Sequence, residues 1–151
     1  RYHVCAEIQT KKRFGYGTYE IRMKAAAGSG LNTGFFTYIG ATDKQPHDEI
    51  DFEVLGKNPS KVQLNQFVDG KNVGAQKLVD VAGGAEATDP AKIPTHPSKI
   101  FASIWGSDTL TSWMGPFSDA GGPAKAEIDR IAFTALGDKC QFPQSVACTL
   151  H

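Results

Sequence analysis

The chain has 151 residues, 40% of them apolar, and its sixteen basic residues are balanced by sixteen acidic ones. That length makes one domain, 1–151, able to bury roughly two-thirds of its unfolded surface. A neutral chain lacks the electrostatic footprint for nucleic acid or an anionic membrane surface, and no apolar run approaches the roughly 20 residues of a membrane-spanning helix.

Short alternating runs broken by Gly, Pro, Asn and Asp predict an all-β chain. TYEIRMK, Thr18 to Lys24, sets Tyr19, Ile21 and Met23 on one face. EIDFEV, Glu49 to Val54, turns Ile50, Phe52 and Val54 inward and three carboxylates outward. KVQLNQFV, Lys61 to Val68, buries Val62 and Leu64 and turns out Gln63, Asn65 and Phe67. KIFASIW, Lys99 to Trp105, buries Ile100 and Ile104 and turns out Phe101, Ser103 and Trp105. A last run, KAEIDRIAF, covers Lys125 to Phe133. No helical period is sustained. Strands of this number and length suggest two packed antiparallel sheets. Residues 82–97 and 108–122 read as loops, the second anchored by Trp113 and Phe117.

The cysteines leave alternatives open. Cys140 and Cys148 are spaced to close a small disulfide loop or to stay as two thiols. Cys5 reads most simply as a small buried residue. The chain opens Arg-Tyr-His with no leader pattern, so export is not read from it directly.

HDEIDFE, His47 to Glu53, carries the chemistry. Strand side chains alternate, so Glu49, Asp51 and Glu53 share a face. Three like charges there repel one another, which a fold with no use for them would avoid. A glycosidase uses one ionised carboxylate to attack the anomeric carbon and one protonated carboxyl to release the leaving oxygen. A third acid between them raises the acid catalyst's pKa and can hydrogen-bond the nucleophile. Positions i and i+4 sit about 13 Å apart at Cα on a flat strand, while a retaining pair needs roughly 5–5.5 Å between carboxyls. The spacing works only on a curved sheet, and inverting chemistry stays open. The plain alternative is a solvated acidic face. Against it, the neighbouring outward faces carry Phe36, Tyr38, Asn65, Phe67, Phe101 and Trp105, rings and amides suited to sugar.

FGYGTYEIRMKAAAGSGLNTGFFTYIG and HDEIDFEVLGKNPSKVQLNQFVDGK, with IPTHPSKIFASIWGSDTLTSWMG and the GDKCQFPQSVAC tail, closely resemble glycoside hydrolase family 16. Within it the chain looks most like bacterial β-1,3-1,4-glucanases (lichenases) and the endoglycanases that cut succinoglycan-type exopolysaccharides. The resemblance implies a curved antiparallel β-sandwich, a concanavalin A-like jelly roll. It implies a retaining endo-β-glycanase with Glu49 as nucleophile, Asp51 as helper and Glu53 as acid/base. Sugar contacts are implied for Glu20, Arg22, Tyr38, Asn65, Trp105 and Trp113. No cofactor is required. A structural calcium is common in the family, and Asp129 falls where its side-chain ligand would be. Lichenases often carry Trp where this chain has His47, which favours an acidic exopolysaccharide over cereal glucan. A secreted location is implied as well.

The chain departs from the family pattern in two places. The first strands, ahead of the motif near Ala6, are missing, and so is a strand pair between Val81 and Asp89, roughly 20–30 residues. Exposed sheet edges and core are the expected result. That opens a rival reading, a carbohydrate-binding remnant without turnover. A transglycosylase on the same scaffold is another.

Overall fold

The computed structural model describes residues 5–74, 77–80, 89–119, 121–140 and 148. Nine strands make up nearly half of these described residues: β1 Ala6–Gln9, β2 Gly17–Lys24, β3 Leu31–Ile39, β4 Asp48–Leu55, β5 Lys61–Val68, β6 Lys71–Asn72, β7 Lys77–Asp80, β8 Lys99–Gly106 and β9 Glu127–Ala135. A single helical turn, α1, spans Thr111–Met114. The alternating runs therefore fold as their period requires, most with a residue or two added at the ends.

One antiparallel sheet runs β1-β8-β3-β4-β5-β6, with β7 following β6 along the outer edge of β5. The β5–β6 hairpin turns on Asp69 and Gly70, both at positive φ. Asp-Gly suits such a two-residue turn because its twist matches that of the strands. β3 lies at the centre, paired with β4 on one side and β8 on the other. It is correspondingly the best covered strand, with Leu31 to Phe35 and Ile39 all buried.

β2 and β9 form a separate ribbon. It is tied to the rest through Phe14, which bridges to Ser98 and whose ring sits 4.9 Å from that of Phe133 on β9. A cavity of about 830 Å³ separates the ribbon from the large sheet, lined by Glu20, Arg22, Phe35, Phe52, Val54 and Val62. The ribbon covers its face of the sheet incompletely.

That cavity corrects several burial expectations. Phe52 stays 42% exposed, while Gln63 and Phe101, expected outside, are buried. The outward face closes on itself, with Phe36 and Phe101 stacked at 4.9 Å, while the inward face meets only part of a second layer. Cys5 is exposed, not buried, because it leads into β1, an edge strand with every residue exposed. Cys140 and Cys148 are joined in a disulfide, their Cα atoms 5.2 Å apart. The loop around Trp113 and Phe117 is anchored as expected. Phe117 packs where Cβ atoms on Gly30 and Gly106 would stand, so only glycine allows that approach. The expected gap after Val81 borders residues 81–88, which lie outside the described residues.

Candidate active site

β4 is an interior strand, and register shows what faces its acids. Tyr38 and Phe67 flank Glu49, Phe36 and Asn65 flank Asp51, and Gly34 and Gln63 flank Glu53. Directly opposed residues of an antiparallel pair project to one side. The same face continues onto β8 through Phe101, Ser103 and Trp105. Gly34 leaves the floor beside Glu53 open, since a Cβ there would stand 3.1 Å from Ser103 Oγ.

The three acids are covered rather than splayed into solvent, and each has a different partner. Glu49 Oε2 lies 2.6 Å from His47 Nε2. Asp51 is buried and shares a hydrogen bond with Glu49. Burial, then the charge of Glu49 and that shared bond, push Asp51 up to about 8. Two carboxyls sharing a hydrogen bond titrate as a pair, so the pair keeps its shared proton to higher pH than a free aspartate would. Burial also raises Glu49, with the Asp51 bond opposing and the Glu53 charge adding. Burial raises Glu53, opposed by a hydrogen bond from Asn32 and reinforced by the Asp51 charge. Asn32 Nδ2 donates to Glu53 Oε1 at 2.7 Å.

Beside the acids, Trp113 Nε1 donates to Gln63 Oε1 at 2.8 Å, and the Trp113 and Trp105 rings are 5.8 Å apart. An indole N–H can only donate, so it fixes which way the Gln63 amide points. The Gln63 Nε2, Asn65 Oδ1 and Asn32 Oδ1 atoms are buried without a hydrogen-bond partner among the described residues. Such groups are costly unless something satisfies them.

Tyr38, Asn65, Trp105 and Trp113 thus gather on the face of the triplet. Glu20 and Arg22 do not. They line the cavity on the opposite side, with Phe52 and Val54, whose side chains alternate with the acids of β4. Asp129 is the extra residue where the β2–β9 register shifts, and it pairs with Arg22 at 3.5 Å. A guanidinium on that carboxylate opposes a dication. Among the described residues Asp129 joins no group of three His, Cys or carboxylate ligands, so a calcium ion there would have to draw on backbone carbonyls. Asp48, Asp69 and His96 do form such a group. Asp48, however, is filled by the backbone N–H groups of Asp69, Thr95 and His96 and by the His96 ring. It is a clasp for two loops.

Sequence reasoning did not single out Asn32, Gln63 or Asp48, and read His47 only as a marker. The signal was present for Gln63 and Asn32. Both have the parity that faces the acids, but neither reads as reactive alone.

Residues 1–89 match the family described as Glycosyl hydrolases family 16. The chain belongs to glycosyl hydrolase family 16. It is 57% identical to the Endo-1,3-1,4-beta-glycanase ExoK of Rhizobium meliloti (strain 1021), covering all of this chain and 65% of that protein. It is 34% identical to the Beta-glucanase of Bacillus subtilis (strain 168), covering 86% of this chain and 63% of the relative. The chain therefore spans under two-thirds of the length of these curated relatives. Among solved structures, the Bacillus licheniformis beta-glucanase superposes with a TM-score of 0.76 at 30% identity, covering 85% of this chain and 70% of that one. A native glycosidic hydrolase gives 0.76 at 34% identity, covering 88% and 71%. The all-β sandwich of antiparallel sheets is thus the fold of family 16.

Proposed function

We propose that this chain is the catalytic domain of an endo-acting, retaining β-glycanase. The observation that carries the reading is the division of labour in the triplet. One covered face holds a Glu49 in contact with His47 and Asp51, an Asp51 pushed up to about 8, and a Glu53 raised by burial, which supports an attacking carboxylate beside a proton-holding acid.

In the first step Glu49 attacks the anomeric carbon as Glu53 gives its proton to the glycosidic oxygen, breaking that bond and leaving a glycosyl ester on Glu49. In the second, Glu53 takes a proton from water, the water oxygen attacks the anomeric carbon, and Glu49 departs as carboxylate. Asp51 keeps its proton throughout and steadies the charge returning to Glu49. Carboxyl groups and water suffice, and no step asks for a cofactor. Family membership supports the retaining outcome.

The unsatisfied amide atoms of Gln63, Asn65 and Asn32 support a hydroxyl-rich ligand, and the rings of Tyr38, Trp105 and Trp113 support stacking on sugar faces. The substrate class is a β-1,3-1,4-linked glucan or succinoglycan-type exopolysaccharide. His47 favours the second, and the 57% identity to a protein named endo-1,3-1,4-beta-glycanase supports the 1,3-1,4 linkage pattern. The Cys140–Cys148 disulfide supports a location outside the cell. No helix among the described residues is long and apolar enough to cross a membrane.

The test is release of reducing ends from lichenan and succinoglycan by wild type, Glu49→Gln and Glu53→Gln. Both variants should lose activity by orders of magnitude, and equal activity in all three would remove the assignment. The open cavity behind β4 favours one second reading, a binding domain without turnover. Polysaccharide binding with no new reducing ends from wild type selects that reading.

A further inference from the structure

We propose that His47 is a positioning residue for Glu49, its Nε2–H pinning Oε2 so that the attacking carboxylate is oriented before substrate arrives. The inference rests on the hydrolase reading above. The separation is 2.6 Å, short for a nitrogen donor and oxygen acceptor, as charge-assisted bonds are. As the attacking nucleophile of that reading, Glu49 is a carboxylate that only accepts, which puts the hydrogen on Nε2.

The ring is held as firmly as the bond needs. His47 stacks on Phe67 at 4.9 Å and 20°, and meets Tyr38 at 5.1 Å and 50°. Phe67 and Tyr38 are the cross-strand neighbours of Glu49 on β5 and β3. The imidazole is therefore clamped over the same carboxylate by the two strands that flank it. Its backbone is fixed too, since Gly70 N–H donates to the His47 carbonyl at 2.8 Å. Positions 47 and 49 share strand parity, so the contact needs no detour of the chain.

The charged and titratable groups around the ring are few. β4 offers Glu49 and Asp51, β3 offers Tyr38, and β5 offers only the uncharged Phe67. β8 places Lys99 opposite Tyr38, where its ammonium is engaged by Asp43 at 2.9 Å. Glu49 is the group His47 touches. With His47 on one side and the Asp51 proton also bonded to it, the Glu49 carboxylate cannot rotate freely. A donor on Oε2 also favours the ionised nucleophile, so its removal should demand a higher pH for attack.

Two variants separate the donor from the ring. His47→Phe keeps the stack on Phe67 and Tyr38 but has no N–H, and His47→Gln keeps an N–H of similar reach without the ring. The Phe variant should raise the acidic limb of kcat/KM by about one pH unit and lower kcat about tenfold, with little change in KM. The Gln variant should recover most of both. A wild-type profile in the Phe variant overturns the proposal, as does an equal loss in both variants with no movement of the limb. A readout independent of turnover comes from proton NMR. A downfield, hydrogen-bonded Nε2–H signal from His47 should vanish in Glu49→Leu, which has no acceptor, and persist in Glu53→Gln, and its absence from wild type overturns the contact. That signal decides if the Phe variant fails to fold. If wild type releases no reducing ends, the hydrolase reading fails, and the NMR signal still tests the contact by itself.

Discussion

Asn32 grips the Glu53 carboxylate from within the protein, its Nδ2 2.7 Å from Oε1 and its own side chain without exposed surface. The bond opposes the effect of burial on Glu53, which would otherwise raise its pKa further. Removing the donor with Asn32→Val disfavours the ionised form. Glu53 then stays protonated to higher pH, so the alkaline limb of the kcat profile should rise. Hydrogen bonds to charged groups contribute about 1.5–3 kcal/mol, which corresponds to about one to two pH units. At neutral pH the second step, which needs the ionised base, should slow about tenfold. A kcat profile measured across the alkaline range checks this, and an unmoved limb would disconnect Asn32 from catalysis.

Asp51 should make the enzyme less stable as pH rises. Its folded-state pKa, about 8, lies above the ordinary aspartate value. For such a group the favourable contribution is complete below the unfolded pKa, near 4, and disappears as pH climbs through the folded one. Stability should therefore decline between about pH 4 and pH 8. Asp51→Asn cannot ionise and should flatten that decline, gaining about 2–3 kcal/mol at the alkaline end, less than the full displacement implies because the proton is shared with Glu49. Thermal melts of both proteins at pH 4 and pH 9 measure the difference. Parallel melting curves at the two pH values would mean that Asp51 ionises in a well-solvated setting.

Asp48 should behave in the opposite sense. Burial, the largest influence, pushes its pKa up, but the backbone N–H groups of Asp69, His96 and Thr95 and the His96 ring together pull it below the ordinary value. A depressed carboxyl contributes stability that is present above the unfolded pKa and lost as pH falls through the folded one. Asp48→Ala leaves three backbone N–H groups unsatisfied and frees the loops beside the β5–β6 turn and around His96. A loss of about 3–5 kcal/mol is expected at pH 7, shrinking below pH 4. Urea unfolding at the two pH values provides the test. A loss that does not change with pH would assign the effect to packing alone.

What could be read from sequence and what could not divide along physical lines. The strands around Glu20, Asp51, Asn65, Ile100 and Ile131 were legible because period-two alternation is local. The face shared by Glu49, Asp51, Glu53, Tyr38, Asn65 and Trp105 followed from the same parity, and the structure brings those residues together. The placement of Glu20 and Arg22 was not legible, because it depends on which layer β2 joins, and that is decided by long-range pairing with β9. The exposure of Phe52 was hidden for a related reason, since alternation tells the two faces apart but not how fully each is covered. The Asp48 clasp joins residues 48, 69, 95 and 96, and nothing in one strand announces partners so far along the chain.

Trp113 should act on substrate recognition through Gln63. Its indole N–H holds the Gln63 oxygen at 2.8 Å, which turns the amide nitrogen away and leaves that nitrogen without a partner among the described residues. That nitrogen is buried in the free protein, so a sugar hydroxyl meets it only where binding uncovers it, and the donor it then finds is already oriented. Trp113→Phe keeps a ring near Trp105 but frees the Gln63 amide to rotate. One neutral hydrogen bond contributes about 0.5–1.5 kcal/mol, so KM should rise about 3–10-fold while kcat stays within about twofold. Gln63→Glu should raise KM further, because a second carboxylate opposite Glu53 replaces the donor with a like charge. Steady-state kinetics on both variants decide the matter. If Trp113→Phe lowers kcat while KM holds, the indole acts on the acids and not on the sugar.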